Sequence, residues 1–536
     1  MFHQLLTPVS GSLVLSFVVA AIPIAVVLLM LGLLKRPAWQ ASLAGLVSGV
    51  VIAIAVWQLP VNLAAASVAN GVTFALWPIM WIVFAALILY NIAVQSGRFD
   101  AFRRWVLAHL PNDRRIILIV IGYGFGSLLE GVTGFGAPVA ICASLLIMLG
   151  FGAADAVVYA LLFNTAPVAF GSLGIPITTL SGVTALPADS LGAMVGRQLP
   201  FFAFLLPFYV IALYGGLRSV KALFPVILVA GGTFAGVQFV CSNFISYTLT
   251  DVLAALSCLV VTVGFLKMWK PKPDPEFAVG VGPGTEVHTD HGAIAPWQGW
   301  VPWLIMCAVV ILWTIFKVAA MGQINVQWPG LHNQVFITLY EKPYAAVWSF
   351  QPLATGTAVL LTAILTALFV GAGVSGFIKA VGEAVRQIAL PTLTVVCIVG
   401  LAFLMNYSGM NYTLGLGVAS AGVLFPLLSA FLGWLAVFLS GSDSSGNALF
   451  GNLQVVAANK LSFDPVLMAA TNSSGGVFAK MISPQNIATG VSIAGLRGQE
   501  GKIFSRTFIH SLVLTVLLGI LVFLQQHVWT WMIPPH

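Results

Sequence analysis

Long apolar segments follow one another along almost the whole chain, separated by short polar stretches. The clearest of them are residues 11–34, 41–59, 72–94, 199–214, 222–240, 252–266, 301–316, 354–370 and 511–524. The pattern predicts an all-α polytopic membrane protein with roughly 12 to 14 hydrophobic segments, because a spanning helix needs about 20 mainly apolar residues. The alternating short strands of an outer-membrane barrel are absent from the sequence.

Two stretches rich in Gly and small polar residues interrupt this succession, residues 116–150 and 429–460. We predict that each is a re-entrant hairpin that enters and leaves the membrane on the same side. If either crossed the membrane instead, the later loops rich in Lys and Arg would no longer fall on the inner side. Non-helical backbone at membrane depth has to line protein or water. Each hairpin is followed by a segment interrupted by Gly, Pro and polar residues, and we predict broken helices over about 153–184 and 466–492.

The two broken helices share a pattern of residues. The matching residues lie at six-residue steps: Asn164, Phe170, Pro176 and Gly182 in the first, and Asn472, Phe478, Pro484 and Gly490 in the second. The predicted topology puts the first hairpin inside and the second outside, so we expect two inverted repeats. Many secondary transporters are built this way, with the substrate site near the middle of the membrane where broken helices meet.

The same pattern divides the chain into three parts. We predict an N-terminal membrane half over residues 1–268, a cytoplasmic linker rich in Pro and Gly over 269–298, and a C-terminal membrane half over 299–536.

Composition supports the membrane assignment and excludes a water-soluble domain. Hydrophobic residues make up 60% of the chain and charged residues 7%, whereas a soluble domain carries roughly a quarter charged residues. If the N-terminus lies outside, most of the 22 Lys and Arg residues fall in inner loops. This positive-inside bias explains the net charge of +7 better than nucleic-acid binding does. We therefore expect both termini on the outer side of the cell inner membrane.

Polar residues that could bind a small carboxylate gather in the hairpins and broken helices. Backbone N–H groups at the start of a half-helix bind anions, and hydroxyls, amides and a cation would orient the ligand. The candidates are Thr133, Asn164, Thr165, Arg197, Ser444, Ser445, Asn447, Asn472, Ser473, Ser474, Lys480, Ser483 and Gln485. Arg197 could instead extend to the outer surface, and the Gly and small residues could serve only close helix packing.

Glu130 and Asp443 are the candidate proton carriers, since an ionisable residue inside a membrane is costly unless it is paired, hydrated or neutral. Either acid could instead cap a half-helix. We predict no cofactor and no metal site, although His288 and His291 in the linker could bind a metal. The five cysteines form no CxxC pair, and no histidine accompanies the Ser-rich motifs. These features argue against an enzyme, and the partners expected are the carboxylate, a proton and lipid.

Five motifs together resemble the L-lactate permease family, which includes glycolate permeases. They are EGVTGFGAPVAI (130–141), FNTAPVAFGSLGIPI (163–177), GRQLPF (196–201), GSDSSGNALFG (441–451) and FAKMISPQNIA (478–488). The resemblance covers nearly the whole chain. One difference is Ala479, where the family leads us to expect Gly before the lysine.

The resemblance implies import of L-lactate and related 2-hydroxymonocarboxylates, such as D-lactate and glycolate, by proton symport. It also implies kinship with transporters that have two hairpins, an elevator-type moving domain and, in many members, a homodimer. Sodium-coupled symport, exchange of small carboxylates and a passive channel remain alternatives.

Overall fold

The computed structural model describes residues 1–32, 34, 36–132, 137–278, 294–496 and 499–535. Within these residues the protein is mostly helical, and ten helical segments are long and apolar enough to cross a membrane. An eleventh is obtained if Ala153–Phe163 and Val168–Thr184, bent by 63°, count as one span. Large apolar side chains such as Val18, Leu217 and Leu368 are exposed, as lipid-facing residues are.

The expected 12 to 14 hydrophobic segments exceed this number. Some apolar runs form helices too short to pass the length test, such as Thr355–Val370. In addition, one 42-residue helix, Leu199–Val240, is a single segment in that count although its backbone is broken at Gly215 and Gly216. Its two halves pack together: a Cβ on Gly231 would lie 2.6 Å from the carbonyl oxygen of Phe204.

The first half of the chain contains thirteen helices within the described residues. They are α1 (Leu13–Gly32), α2 (Ala38–Ala55), α3 (Val61–Phe74), α4 (Trp81–Gln95), α5 (Arg98–Ala108), α6 (Arg114–Ile117), α7 (Gly126–Val132), α8 (Ala137–Met148), α9 (Ala153–Phe163), α10 (Gly171–Thr184), α11 (Ala188–Val195), α12 (Leu199–Val240) and α13 (Thr250–Met268). A π-helical stretch, Leu118–Phe125, joins α6 to α7, and this whole segment is buried by neighbouring helices.

The second half contains nine helices in the part of the chain that is described. They are α14 (Val301–Ile315), α15 (Thr355–Val370), α16 (Gly373–Ser408), α17 (Met410–Val418), α18 (Phe425–Ser440), α19 (Asp443–Leu461), α20 (Pro465–Lys480), α21 (Pro484–Ile493) and α22 (Glu500–His527). Pro is the first residue of both α20 and α21, where its missing N–H costs no helical hydrogen bond.

Short strands depart from the all-α expectation. They are β1 (Phe2–His3), β2 (Ile324–Gln327), β3 (Val335–Ile337), β4 (Lys342–Pro343) and β5 (Val347–Phe350). β2 pairs with β5 in antiparallel register, and β3 pairs in parallel with β1 and antiparallel with β4. The polar loop between α14 and α15 therefore folds into two small sheets, one of which holds the N-terminus.

Helices α18, α19 and α20 pack against one another without room for larger side chains. A Cβ on Gly433 of α18 would lie 1.9 Å from the carbonyl oxygen of Asn472 on α20, and one on Gly475 would lie 2.2 Å from that of Ala430. The glycines therefore set the distance between these two helices, and so the position of the polar face of α20.

The first prediction concerns this helix contact. Gly433→Ala should lower the thermal unfolding midpoint in detergent, because forcing an extra methyl into a packed contact costs about 1–3 kcal/mol. Gly236→Ala in α12 is the matched control, since no atom lies within 4 Å of its Cβ position and Ala favours a helix. Equal midpoints for the two variants would contradict the packing argument.

Candidate functional site

A buried ion pair joins the two halves of the chain. The Lys480 ammonium, at the end of α20, lies 2.5 Å from Oε1 of Glu130 in α7. Asn164, just beyond α9, donates a hydrogen bond from Nδ2 to the other carboxylate oxygen at 2.9 Å. Glu130 and Lys480 are only 3% and 5% exposed. The carboxylate is thus held by one cation and one amide, each from a different element.

The backbone next to Glu130 takes an unusual path. Ser172, Leu173 and Gly174 have φ of 46°, 59° and 76° and interrupt α10 near its start. Left-handed backbone at a residue with a side chain costs about 1–3 kcal/mol and marks functional positions. Gly171 allows the close approach, because a Cβ there would lie 3.0 Å from Oε1 of Glu130.

Asp443 is the corresponding acid at the start of α19. The Ser473 hydroxyl donates to its Oδ2 at 2.5 Å, and Asn447 donates to the same oxygen at 3.4 Å. Within the described residues Oδ1 accepts no hydrogen bond. A Cβ added to Gly476 would lie 2.4 Å from this oxygen, so a larger residue at position 476 would collide with it. In each half, therefore, the acid of a predicted hairpin is hydrogen-bonded to a residue at the start of the repeated pattern. Asn164 donates to Glu130, and Ser473, which follows Asn472, donates to Asp443.

Amide side chains connect the two acids' surroundings. Asn447 donates to the carbonyl oxygen of Pro176 at 3.2 Å, which ties α19 to α10. Asn472 donates to Oδ1 of Asn447 at 3.0 Å and accepts from Gln454 at 3.3 Å, and Ser429 donates to Gln454 at 2.8 Å. Because buried polar groups are costly unless bonded, this network fixes the relative positions of α10, α18, α19 and α20.

A cavity of about 1230 Å³ opens beside the ion pair. Its wall includes Glu130 and Lys480, the left-handed turn at Ser172, and the starts of α19 and α21. The polar lining residues are Arg36, Glu130, Ser172, Thr394, Ser440, Ser442, Asp443, Ser444, Ser445, Lys480, Gln485, Asn486, Thr489 and Glu500. Helix starts, hydroxyls, amides and an ammonium group are the donors that bind a small carboxylate.

Of the residues expected from sequence to bind substrate, Ser444, Ser445, Lys480 and Gln485 line this cavity. The other expected residues of these elements are buried and do not line the cavity: Asn164, Asn447, Asn472, Ser473, Ser474 and Ser483. The Ser474 and Ser483 hydroxyls have no partner in the described part of the chain.

Two other residues expected to bind substrate, Arg197 and Thr165, do not line the cavity. Arg197 donates to Asn243 and to the carbonyl oxygen of Met532. Thr165 is buried, and its hydroxyl is bonded to the carbonyl oxygen of Leu162. Thr133, together with His288 and His291 of the linker, lies outside the described residues.

Sequence reasoning missed Asp251 and Ser172. Asp251 is the second residue of α13 and is 1% exposed. The signal available was an acid directly before the apolar segment 252–266, a position at which acids commonly interact with the helix dipole. The left-handed turn at Ser172 has no sequence signal beyond the neighbouring glycines. In the described residues, no three His, Cys, Asp or Glu side chains are grouped to hold a metal ion.

Known proteins resemble this chain over its full length. The model of the family described as L-lactate permease matches residues 16–529. The glycolate permease GlcA of Escherichia coli strain K12 is 40% identical, with 98% of each chain covered. An L-lactate permease of Bacillus subtilis strain 168 is also 40% identical, with 99% of each chain covered.

One solved structure, the antimetabolite efflux pump MtrF of Neisseria gonorrhoeae, aligns with 87% of this chain and 84% of its own. Its TM-score is 0.45 at 15% identity, which is too low to support a conclusion about the fold.

The second prediction concerns the ion pair. Lys480→Met leaves the Glu130 carboxylate buried without its cation, which typically costs about 3–5 kcal/mol. The double variant Lys480→Met/Glu130→Gln should recover most of this loss, because both charges are then removed. The free energy of unfolding in a denaturing-detergent titration measures both. If the two variants were equally destabilised, Glu130 and Lys480 would not be coupled.

Proposed function

The chain belongs to the L-lactate permease family, and we propose that it imports L-lactate, D-lactate and glycolate by proton symport. Relatives named as permeases over nearly the whole chain confirm that it is a multi-pass membrane transporter and not an enzyme. The relatives' printed names support lactate and glycolate as substrates. D-lactate and the proton are the further steps of the proposal.

The observation that carries the proposal is the Glu130–Lys480 pair at the cavity wall. A substrate carboxylate that enters the cavity competes with Glu130 for the lysine. Once the lysine turns to the substrate, Glu130 is left as a buried carboxylate whose one remaining hydrogen-bond donor among the described residues is Asn164. An unpaired buried carboxylate is strongly disfavoured and takes a proton instead. Substrate and proton therefore bind together, which is the requirement for symport.

Asp443 is the alternative proton carrier. It also lines the cavity, but Ser473 and Asn447 donate to it, and hydrogen bonds to a carboxylate favour its charged form. We favour Glu130 because the one cation paired with it in the described part of the chain is the group that the substrate would take. The substrate hydroxyl would bond to Ser444, Ser445 or Gln485 on the facing wall.

We further propose that the two halves are inverted repeats and that the unit bearing the hairpins moves as an elevator. Arg36 and Glu500 line the cavity; Arg36 precedes α2 and Glu500 begins α22, and both positions are on the predicted cytoplasmic side. The cavity would then be that of an inward-facing state, with both termini outside the inner membrane. The family resemblance extends this proposal to a homodimer, which cross-linking in native membranes would test.

The third prediction is gradient-driven uptake. Proteoliposomes with an alkaline interior should accumulate radiolabelled L-lactate, and a protonophore should abolish the accumulation. Unlabelled D-lactate and glycolate should compete. Uptake that survives the protonophore but fails when choline replaces sodium would overturn proton coupling in favour of sodium coupling. Uptake that responds to neither change but needs internal carboxylate would indicate exchange.

The fourth prediction assigns the two charged groups. Lys480→Met should lower uptake at least about 30-fold, because losing one partner of a buried charged contact costs about 2–5 kcal/mol. Lys460→Met is the control, since Lys460 is exposed at the end of α19. Glu130→Gln should retain lactate exchange but no longer respond to a pH gradient. If Asp443→Asn alone had that effect, Asp443 would be the proton carrier.

A further inference from the structure

A third buried acid, Asp251, lies behind the Glu130–Lys480 pair. A Cβ on Gly131 would lie 2.9 Å from the Cβ of Asp251, so the start of α13 contacts α7 at the residue next to Glu130. Asp251 does not line the cavity. Glu130 thus has the cavity on one side and α13 on the other.

In the part of the chain that the structure describes, the Asp251 carboxylate is buried without a hydrogen-bond donor or a paired cation. It is 1% exposed, and among the described residues neither of its carboxylate oxygens has a hydrogen-bond partner. The titratable groups close enough to interact with it electrostatically are Glu130, Lys480, Tyr123 and Cys241. Lys480 is the single cation among them, and it is already in contact with Glu130.

Three neighbouring acids therefore differ in their surroundings. Glu130 has a cation and an amide, Asp443 has a hydroxyl and an amide, and Asp251 has neither. Burying an ion without partners is far more costly than burying its neutral form. While Lys480 remains with Glu130, the form of Asp251 that fits this site is the neutral acid.

The loop before α13 carries three hydroxyl groups between the surface and Asp251, although among the described residues none of them is hydrogen-bonded to the Asp251 carboxylate. Ser246, Thr248 and Thr250 alternate along the chain up to Asp251, and the hydroxyls of Ser246 and Thr248 lie 2.7 Å apart. Ser246 is partly exposed, whereas Thr248 and Thr250 are buried. In the predicted topology this loop is on the outer side, opposite the side to which the cavity opens.

We infer that Asp251 is a proton-binding residue of the transport cycle, which supplies Glu130 with its proton from the side away from the cavity. This inference rests on the proposed proton symport. In the outward-facing state of the carrier, the substrate draws Lys480 away and the proton of the Asp251 carboxylic acid moves to the Glu130 carboxylate. Asp251 is left as the carboxylate and is protonated again from water at the outer loop. No charge is created or lost in the transfer between the two acids.

The test compares Asp251→Asn with Asp189→Asn. Both acids occupy the second position of a helix, α13 and α11, but Asp189 is exposed. Asp189→Asn therefore controls for removing an acid from the first turn of a helix. In proteoliposomes, Asp251→Asn should keep lactate exchange near the wild-type rate. Its initial rate of accumulation driven by a pH gradient should fall about 100-fold, as expected when a positioned proton-transfer group is removed. Asp189→Asn should keep both activities.

An infrared measurement tests protonation independently of transport. The carbonyl band of a protonated carboxylic acid should be present at neutral pH in the substrate-free wild type and in Asp189→Asn, and weaker in Asp251→Asn. An unchanged band, or full gradient-driven accumulation by Asp251→Asn, would overturn the inference. So would loss of exchange together with accumulation by a folded variant, since the inferred role affects only the proton step. Wild-type uptake that ignores the pH gradient would instead refute proton symport, whatever the infrared band shows.

Discussion

The contact between Lys480 and Glu130 is the interaction on which the rest of the site depends. It joins α20 of the second half to α7 of the first. Both charged residues are buried, and both line the cavity. In a membrane interior, neither charge is tolerated alone without considerable cost. In the proposed transport cycle, a ligand that engages Lys480 leaves the Glu130 carboxylate without its cation, and the low polarity of the surroundings then favours protonation of that carboxylate.

Broken helices create the room for this contact. The left-handed turn at Ser172, Leu173 and Gly174 brings α10 against Glu130, and the interruption between α20 and α21 leaves Lys480 at a helix end. A cation is favoured at a helix C-terminus. Irregular backbone inside a membrane is tolerated where it is buried in protein or faces a water-filled cavity. The irregular backbone therefore forms part of the cavity wall, and the cavity and the surrounding protein keep that backbone away from lipid.

Much of the site follows from sequence, because its residues are chemically out of place in apolar segments. Lys480, Glu130 and Asp443 were identified in this way, and the structure brings them to one cavity region. Their pairing could not be predicted, since residues 350 positions apart in the chain meet only through tertiary packing. Arg197 shows the limit of the reasoning: its chemistry suited a carboxylate site, but the fold directs it to Asn243 and Met532. The five strands were also missed, because strands of two to four residues leave little periodicity to detect.

Charge balance gives a reason for three acids near one lysine. If Glu130, Asp443 and Asp251 were all ionised, the surroundings of Lys480 would carry an excess of two negative charges, and an anionic substrate would be repelled. Protonation of the acids removes that repulsion one charge at a time. A site built only to bind a carboxylate would need the lysine and the helix starts but not the acids. The excess of acids is therefore better suited to a carrier whose affinity for its anion depends on bound protons.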